Sequence, residues 1–246
     1  TEDHDFEEIA SFQVNGRRFT WQEENTGGPV GRISTDNLAA QLEVFLSQTR
    51  LTKAQDAFLS ARLQAYKSEK NLAEATRAIV RNWAADLGVL VIDGDSAVLK
   101  EACSGLWQRE LKGELSQLIQ QQSASLKDKG YSAQVYPRPI NLFEIHDGSR
   151  ARIEQENRQL NPYEISPNAL LRPVYQEHLL PNLAYVGGGG ELAYWLQLGL
   201  VFNELDTPMP LLYLRDSLLC LTEKTSRKLE QQKISVDHLL RTSKEA

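Results

Sequence analysis

The sequence predicts an α/β fold with a Rossmann-like parallel sheet at its core, because predicted strands alternate with a long helical pattern. Residues 88–92 form a short unbroken apolar run, which is typical of a strand covered on both faces in a parallel sheet. A helical pattern follows the turn at residues 93–96 and continues to about residue 127. Further strands are predicted at residues 131–135 and 141–145, so strand, crossover helix and strand form a βαβ unit.

The second half of the predicted core continues this alternation. Ser166-Pro167 has the form of a helix cap with proline in the first turn, and it starts a predicted helix towards residue 180. A short strand at residues 183–186 leads into four glycines and a helix at residues 191–203, and residues 210–214 form another predicted strand. We therefore assign residues 87–216 to the Rossmann-like core.

The remaining regions have different patterns. Residues 11–22 alternate around Asn15-Gly16, a strong hairpin signal, and we assign residues 1–34 to the core as well. Residues 35–86 carry three amphipathic helical patterns and are predicted to form a helical insertion that folds against the sheet. Residues 217–246 are polar with apolar positions seven apart, which predicts the start of a coiled-coil helix.

Composition narrows the function classes. A net charge of −6 and a pI near 5.4 argue against a nucleic-acid footprint and against a polybasic membrane patch. The sequence has no apolar run of eighteen residues and its first residues do not form a signal peptide, so we expect a cytoplasmic protein. Cys103 and Cys220 are too few for a disulfide framework, and both are predicted to be buried as small apolar side chains.

Three stretches of the sequence together resemble the BshC family, which adds cysteine to a glucosaminyl-malate acceptor in bacillithiol biosynthesis. They are TEDHDFEEI at residues 1–9, RPINLF at residues 138–143 and SPNALLRPVYQEHLLPNLAYVGGGGELAYWLQ at residues 166–197. The resemblance implies a core similar to class I nucleotidyltransferases, helical insertions and a homodimer formed through a coiled coil. It also implies cysteine and glucosaminyl-malate as substrates. Because forming an amide bond in water is uphill, we expect ATP or ADP as a cofactor, and we predict no metal.

The sequence also departs from the family pattern. Family members carry a further N-terminal stretch with the first βα unit, and a C-terminal segment that returns to the core. Neither is present here, so we expect these 246 residues to be an internal fragment. We expect the isolated fragment to lack ligation activity.

An acidic segment near the start supplies the first candidate site. Asp3, His4 and Asp5 place two carboxylates beside an imidazole, which could hold an amine and transfer a proton. The residues alone also allow a solvated terminus or, less readily, a metal site. The resemblance implies that this segment follows a core strand at the cleft, and we therefore assign the three residues a catalytic role.

A glycine turn and the helix before it supply the second candidate site. A strand, glycines and a helix N-terminus would expose backbone amides to a malate carboxylate or a phosphate, although a plain tight turn has the same spacing. The helix before it carries polar residues in steps of four, including an arginine suited to carboxylates, on what could equally be a solvated face. The predicted substrate-binding residues are Asn168, Arg172, Gln176, Tyr185, Gly187, Gly188, Gly189, Gly190 and Glu191.

Two alternatives remain open from the residues. The loop at residues 27–32 could bend backbone amides around an anion with help from Arg32, or it could be a plain connection. The chain could also be a non-catalytic module that binds a nucleotide and dimerises through its tail. The leading prediction is part of a ligase that forms a carbon–nitrogen bond.

Overall fold

The computed structural model describes residues 10–14, 17–21, 29–146, 149–154 and 159–236. Within these ranges helices alternate with three small sheets, so the mixed α/β prediction is confirmed. None of the helices described is both long enough and apolar enough to cross a membrane.

The N-terminal hairpin pairs as its alternation predicts, with Phe12 opposite Phe19 in an antiparallel register. The Asn15-Gly16 turn lies outside the described residues. The two phenylalanine rings stack with centroids 5.1 Å apart, and both meet the ring of Phe45 edge-on. The hairpin therefore packs against the helical unit that follows it. Its strands are β1 (Ser11–Val14) and β2 (Arg17–Thr20).

Three helices occupy the region predicted to be helical. Thr52 and Gln55 form a reciprocal capping box at the second helix, and the Asn71 side chain caps the third by accepting from the Glu74 amide at 2.9 Å. Trp83, the last residue of the third helix, is 78% exposed. The helices are α1 (Asp36–Gln48), α2 (Lys53–Ser68) and α3 (Leu72–Trp83). Phe19 of the hairpin packs with the buried Leu42 and Phe45 of α1, and the partly buried Leu59, Leu63 and Tyr66 of α2 pack against them.

Two predicted strands are absent from the described chain. Residues 88–92 are not paired with any strand, and Leu90 is 86% exposed. Apolar composition gives a strand only where a neighbouring strand supplies hydrogen bonds, and no described segment does so here. The strand predicted at residues 131–135 is absent for another reason. The amide and carbonyl of Val135 bond the side chain of Gln197 at 3.2 and 2.9 Å, so a side chain takes the place of a strand.

The predicted helical run after residue 96 is present but broken. Cys103 and Gly113 interrupt it, and Gly113 adopts a left-handed conformation with φ of 75°. The run consists of α4 (Ala97–Ala102), α5 (Ser104–Leu111) and α6 (Glu114–Asp128). Cys103 is buried as predicted, whereas Cys220 is exposed and that prediction is wrong.

The sheets differ from a continuous parallel sheet. The sheet after the hairpin is antiparallel, with β3 (Leu142–His146) between β4 (Ser149–Arg152) and β5 (Ile165–Pro167). The strand predicted at residues 141–145 therefore pairs with antiparallel neighbours and not within a parallel sheet. In the second, β6 and β7 run parallel with helices between them, the arrangement of a βαβ unit. The strands are β3 (Leu142–His146), β4 (Ser149–Arg152), β5 (Ile165–Pro167), β6 (Ala184–Gly187) and β7 (Leu211–Leu214).

The helix that carries Arg172 begins later than predicted. Ser166 and Pro167 end strand β5, and the side chain of Asn168 accepts from the amides of Leu170 and Leu171 at 2.9 and 3.1 Å. A proline in the strand is tolerated because it lies at the strand end. The remaining core helices are α7 (Leu171–Leu179), α8 (Gly189–Trp195) and α9 (Gly199–Glu204).

A second hydrophobic core lies within these elements, separate from that of the helical unit. It contains two fully buried tryptophans, Trp107 and Trp195, and Trp195 stacks on Tyr185 at 4.3 Å. Its other fully buried members are Leu115, Ile119, Leu142, Ile165, Leu170, Leu171, Val174, Leu198, Val201 and Phe202. Two hydrophobic clusters thus support the two parts of the chain.

The tail is only partly helical within the described residues. Helix α10 spans Glu223–Gln231, and Thr222 caps it by accepting from the Thr225 amide. Thr222 and Val236 therefore lie outside the helix, so they do not share a helical face with Leu229. The coiled coil stays a prediction.

Candidate substrate-binding cleft

A cleft of about 880 Å³ lies between the helical unit and the core. The helical side is formed by the loop at residues 29–32 and by the first half of α3. The core side is formed by residues 90–95, by Lys100, and by side chains of α7. Because one wall belongs to the helical side and the other to the core, a ligand in the cleft would contact both parts of the chain.

A charged cluster crosses the cleft at one point. Arg32 Nη2 donates to Asp95 Oδ1 at 3.0 Å, and its Nε donates to the other oxygen of the same carboxylate. Lys100 also bonds Asp95 and donates to the carbonyl of Tyr163 at 3.3 Å. The Lys100 side chain is only 2% exposed, so a single carboxylate lies against two cations and one of them is buried.

Charge pairing determines the protonation of this cluster. Burial alone would raise the pKa of Asp95, but hydrogen bonds from Arg32 and Lys100 outweigh it and the pKa is lowered. Asp95 is therefore a carboxylate at neutral pH. It holds the loop at residues 29–32 against the core, while the cluster keeps one excess positive charge at the cleft wall.

Arg172 reaches the cleft from α7 and is held by a network of hydroxyl groups. Its Nη2 donates to the hydroxyls of Tyr194 and Tyr185 at 2.9 and 3.2 Å. Its Nη1 donates to Gln176 Oε1 at 3.3 Å, and both Arg172 and Gln176 line the cleft. The predicted proximity of Arg172 and Gln176 on one helical face is therefore confirmed.

The glycine turn is connected to Arg172 by a carboxylate. Tyr185 donates to Glu191 Oε1 at 2.8 Å, and the amide of Gly188 donates to Glu191 Oε2 at 2.9 Å. The Gly188 amide, followed by the Tyr185 hydroxyl, lowers the pKa of Glu191, which lies 3.6 Å from Arg172 Nη2. Glu191 thus accepts the hydrogen bond of the Gly188 amide, to which an anionic ligand would otherwise bind.

The glycine turn and Arg172 do not line the same cleft. Gly187, Gly188, Gly189 and Gly190 do not line the cleft, whereas Arg172 does. The glycines allow close packing instead, since a Cβ atom at Gly187 would lie 2.6 Å from Tyr185 Cε1, and one at Gly188 would lie 3.2 Å from Arg215 Nη2.

Asn168 has a local structural role. It precedes α7, so it does not share a helical face with Arg172 and Gln176 as predicted. Its Nδ2 donates to Asn141 Oδ1 at 2.9 Å while its Oδ1 caps the helix. These contacts of the side chain fix the start of α7, which in turn carries Arg172.

Two of the sequence-based candidates lie partly or wholly outside the described residues. Asp3, His4 and Asp5 are outside them, as is the first part of the loop at residues 27–32. The described part of that loop lines the cleft, and its Gly31 is packed so closely that a Cβ atom would lie 3.1 Å from the Cβ of Ala73. The loop is therefore more than a plain connection, because it supplies Arg32 to the charged cluster.

Sequence reasoning missed four charged residues of the cleft, namely Arg77, Asp93, Asp95 and Lys100. Asp95 follows an apolar run within the sequence Asp-Gly-Asp, a common position for functional side chains in α/β proteins. Nothing in the pattern around Lys100 or Arg77 distinguishes them from surface residues of amphipathic helices.

We expect Gly187→Ala to destabilise the fold by about 1–3 kcal/mol, because the new methyl group overlaps the Tyr185 ring and must displace it. Gly189→Ala is the matched control. No atom lies within 4 Å of a Cβ atom there, so its stability should be unchanged or raised by up to about 1 kcal/mol. Urea unfolding of both variants measures the difference, and equal stabilities would show that Gly187 is not required for packing.

The fold and the cleft define a class of protein, namely a mixed α/β protein with a cleft rich in cationic side chains. Residues 1–216 match the family described as "Bacillithiol biosynthesis BshC, N-terminal Rossmann-like domain". The chain belongs to this family.

Similar curated proteins carry the name "Putative cysteine ligase BshC". That of Flavobacterium johnsoniae is 38% identical over 96% of this chain and 48% of its own length. Those of Cytophaga hutchinsonii and Flavobacterium psychrophilum are 37% and 36% identical, each over 97% of this chain and 48% of its own length. The chain spans about half the length of the curated relatives that it matches.

Proposed function

We propose that this chain is part of a cytoplasmic ligase that joins cysteine to glucosaminyl-malate in bacillithiol biosynthesis, and that its cleft binds the acceptor. The family description and the names of the similar proteins support the reaction class. The residues that line the cleft support the position of the anionic acceptor.

The observation that carries the proposal is the charge of the cleft. Its described lining holds four cationic side chains, Arg32, Arg77, Lys100 and Arg172, against the two carboxylates Asp93 and Asp95. This is an excess of positive charge in a chain whose net charge is −6. A cleft with the opposite sign from the rest of the protein concentrates anionic ligands, and the malate part of the acceptor carries two carboxylates.

The chemistry requires activation of a carboxyl group. The reaction forms an amide bond between the cysteine carboxyl carbon and the acceptor amine, and one carboxyl oxygen must leave. This step is uphill in water, so we propose that ATP activates the carboxyl group and carries that oxygen away. In this proposal Asp3 and Asp5 hold the amines, and His4 accepts the proton that the amine loses. We also propose that the longer protein is a homodimer formed through a coiled coil that begins near residue 217.

We expect glucosaminyl-malate to bind the chain, and Arg172→Ala to weaken that binding by about 1.5–3 kcal/mol, the range for a hydrogen bond to a charged group. Isothermal titration calorimetry measures both. Arg227→Ala, which removes the same charge from the exposed tail helix, is the control and should bind as the wild type does.

Three outcomes separate the proposals. Binding that is unchanged in a folded Arg172→Ala variant would make Arg172 structural. Nucleotide binding without acceptor binding would favour the non-catalytic module. A chain that binds neither would remove the cleft as the acceptor site.

A further inference from the structure

We propose that Arg77 is the residue with which the helical unit recognises a carboxylate of the acceptor. This inference rests on the proposed function, and it adds a specificity-determining residue from outside the Rossmann-like core. Arg77 lies on α3 and lines the cleft from the helical wall.

The first observation is that Arg77 differs from the other cations of the cleft. Arg32 and Lys100 share the carboxylate of Asp95, and Arg172 lies 3.6 Å from Glu191. Within the ranges that the structure describes, Arg77 forms no ion pair. Among the four cationic side chains of the cleft, Arg77 is therefore the one that no carboxylate of the described residues contacts.

The second observation is that Arg77 is not simply part of a solvated helical face. Its side chain is half-buried, whereas Arg81, four residues further along the same helix, is exposed and lies outside the cleft. Glu74, placed where it could pair with Arg77, accepts instead from the backbone amide of Lys70 at 3.3 Å. A half-buried guanidinium group without a counter-ion has lost part of its hydration, and an anionic ligand would restore its hydrogen bonds.

The third step is the choice of anion. A guanidinium group presents a planar fork that matches a carboxylate in a bidentate geometry. On the core wall, Arg172 donates from Nη2 to the two tyrosines and from Nη1 to Gln176, so within the described residues a second Nη1 hydrogen and the Nε hydrogen can still bind one carboxylate. Malate has two carboxylates, so we assign one to the side of Arg172 and the other to Arg77. The acceptor then bridges the two parts of the chain.

Calorimetry with defined probes tests the inference. We expect Arg77→Gln to weaken the binding of glucosaminyl-malate and of free malate by roughly 10- to 150-fold, the equivalent of one charged hydrogen bond. Arg81→Gln, the same substitution one turn along the helix, should change the affinity less than twofold. Arg77→Lys keeps the charge without the fork and should recover part of the loss.

Each result decides one statement. Unchanged acceptor affinity in Arg77→Gln, with the wild type binding and Arg172→Ala impaired, overturns the role of Arg77 and leaves the proposed function standing. Inorganic phosphate serves as a further probe. If Arg77→Gln loses the binding of phosphate but keeps the binding of malate, the choice of a carboxylate as the anion that Arg77 binds is overturned. A wild-type chain that binds none of the probes overturns the proposed function and this inference with it. If Arg77→Gln does not fold, as judged by circular dichroism, the affinity of Arg77→Lys decides.

Discussion

Asp95→Asn is expected to destabilise the folded chain by roughly 3–5 kcal/mol, the range for removing one member of a buried ion pair. Lys100 is 2% exposed and loses the Asp95 carboxylate in this variant, while Arg32 remains beside it as a like charge. Urea unfolding at pH 7, monitored by circular dichroism, measures the change.

Two control variants make the result specific. Adding Lys100→Met removes the buried charge, so the double variant should regain most of the lost stability. Asp86→Asn removes an exposed carboxylate and should change stability by less than about 0.5 kcal/mol. A double variant that is no more stable than Asp95→Asn would show that the buried Lys100 charge is not the cause.

The lowered pKa of Asp95 adds a pH dependence. Its stabilising effect is fully present above its ordinary pKa of 3.8 and is lost as the pH falls through the lower folded value. Below that pH the wild type and Asp95→Asn should therefore converge in stability.

The opposite pH dependence is expected from Glu110, whose carboxyl group is fully buried. Burial raises the pKa of Glu110 from 4.5 to about 7, although the amide and side chain of Asn141 both donate to its Oε1. Since the folded pKa lies above the unfolded one, folding favours the protonated form. The contribution of Glu110 to the free energy of unfolding is greatest below pH 4.5. It falls by roughly 3 kcal/mol as the pH rises through 7, at about 1.4 kcal/mol per pKa unit.

Glu110→Gln isolates this contribution, because glutamine keeps an acceptor for Asn141 and cannot ionise. The stability difference between variant and wild type should favour the variant increasingly from pH 5 to pH 8. Glu114→Gln, an exposed carboxylate on the next helix, should leave the pH profile of the wild type unchanged. A Glu110→Gln profile parallel to the wild type would place the titration elsewhere.

The fold could be predicted where the elements depend on local signals. The β1–β2 hairpin and the helices α1 to α3 follow from an Asn-Gly turn and from helical periodicity, and both signals are local. Residues 88–92 have the composition of a buried strand, but a strand also needs a neighbour, which composition does not specify. The exposed Leu90 shows that such a neighbour is not among the described residues.

The candidate site was predictable to a lesser degree. Arg172, Gln176, Tyr185 and Glu191 are neighbours in one network, as a chain order of helix, strand and helix suggested. The use of the glycines was not predictable, since packing against Tyr185 and binding an anion both require the absence of a Cβ atom. Arg32 and Asp95 are far apart in the sequence and meet only through the tertiary fold.

The two hydrophobic clusters also affect how this family can vary. Arg77 lies on α3, which packs against α2 of the helical unit, and the hydrophobic cluster of that unit contains Phe19, Leu42 and Phe45. Arg172 lies on α7, whose buried Leu171 and Val174 belong to the separate cluster around Trp195. Substitutions in independently packed regions have nearly additive effects on stability. Mutations can therefore accumulate on the helical wall and change which acceptor fits, without disturbing the packing that holds the other wall in place.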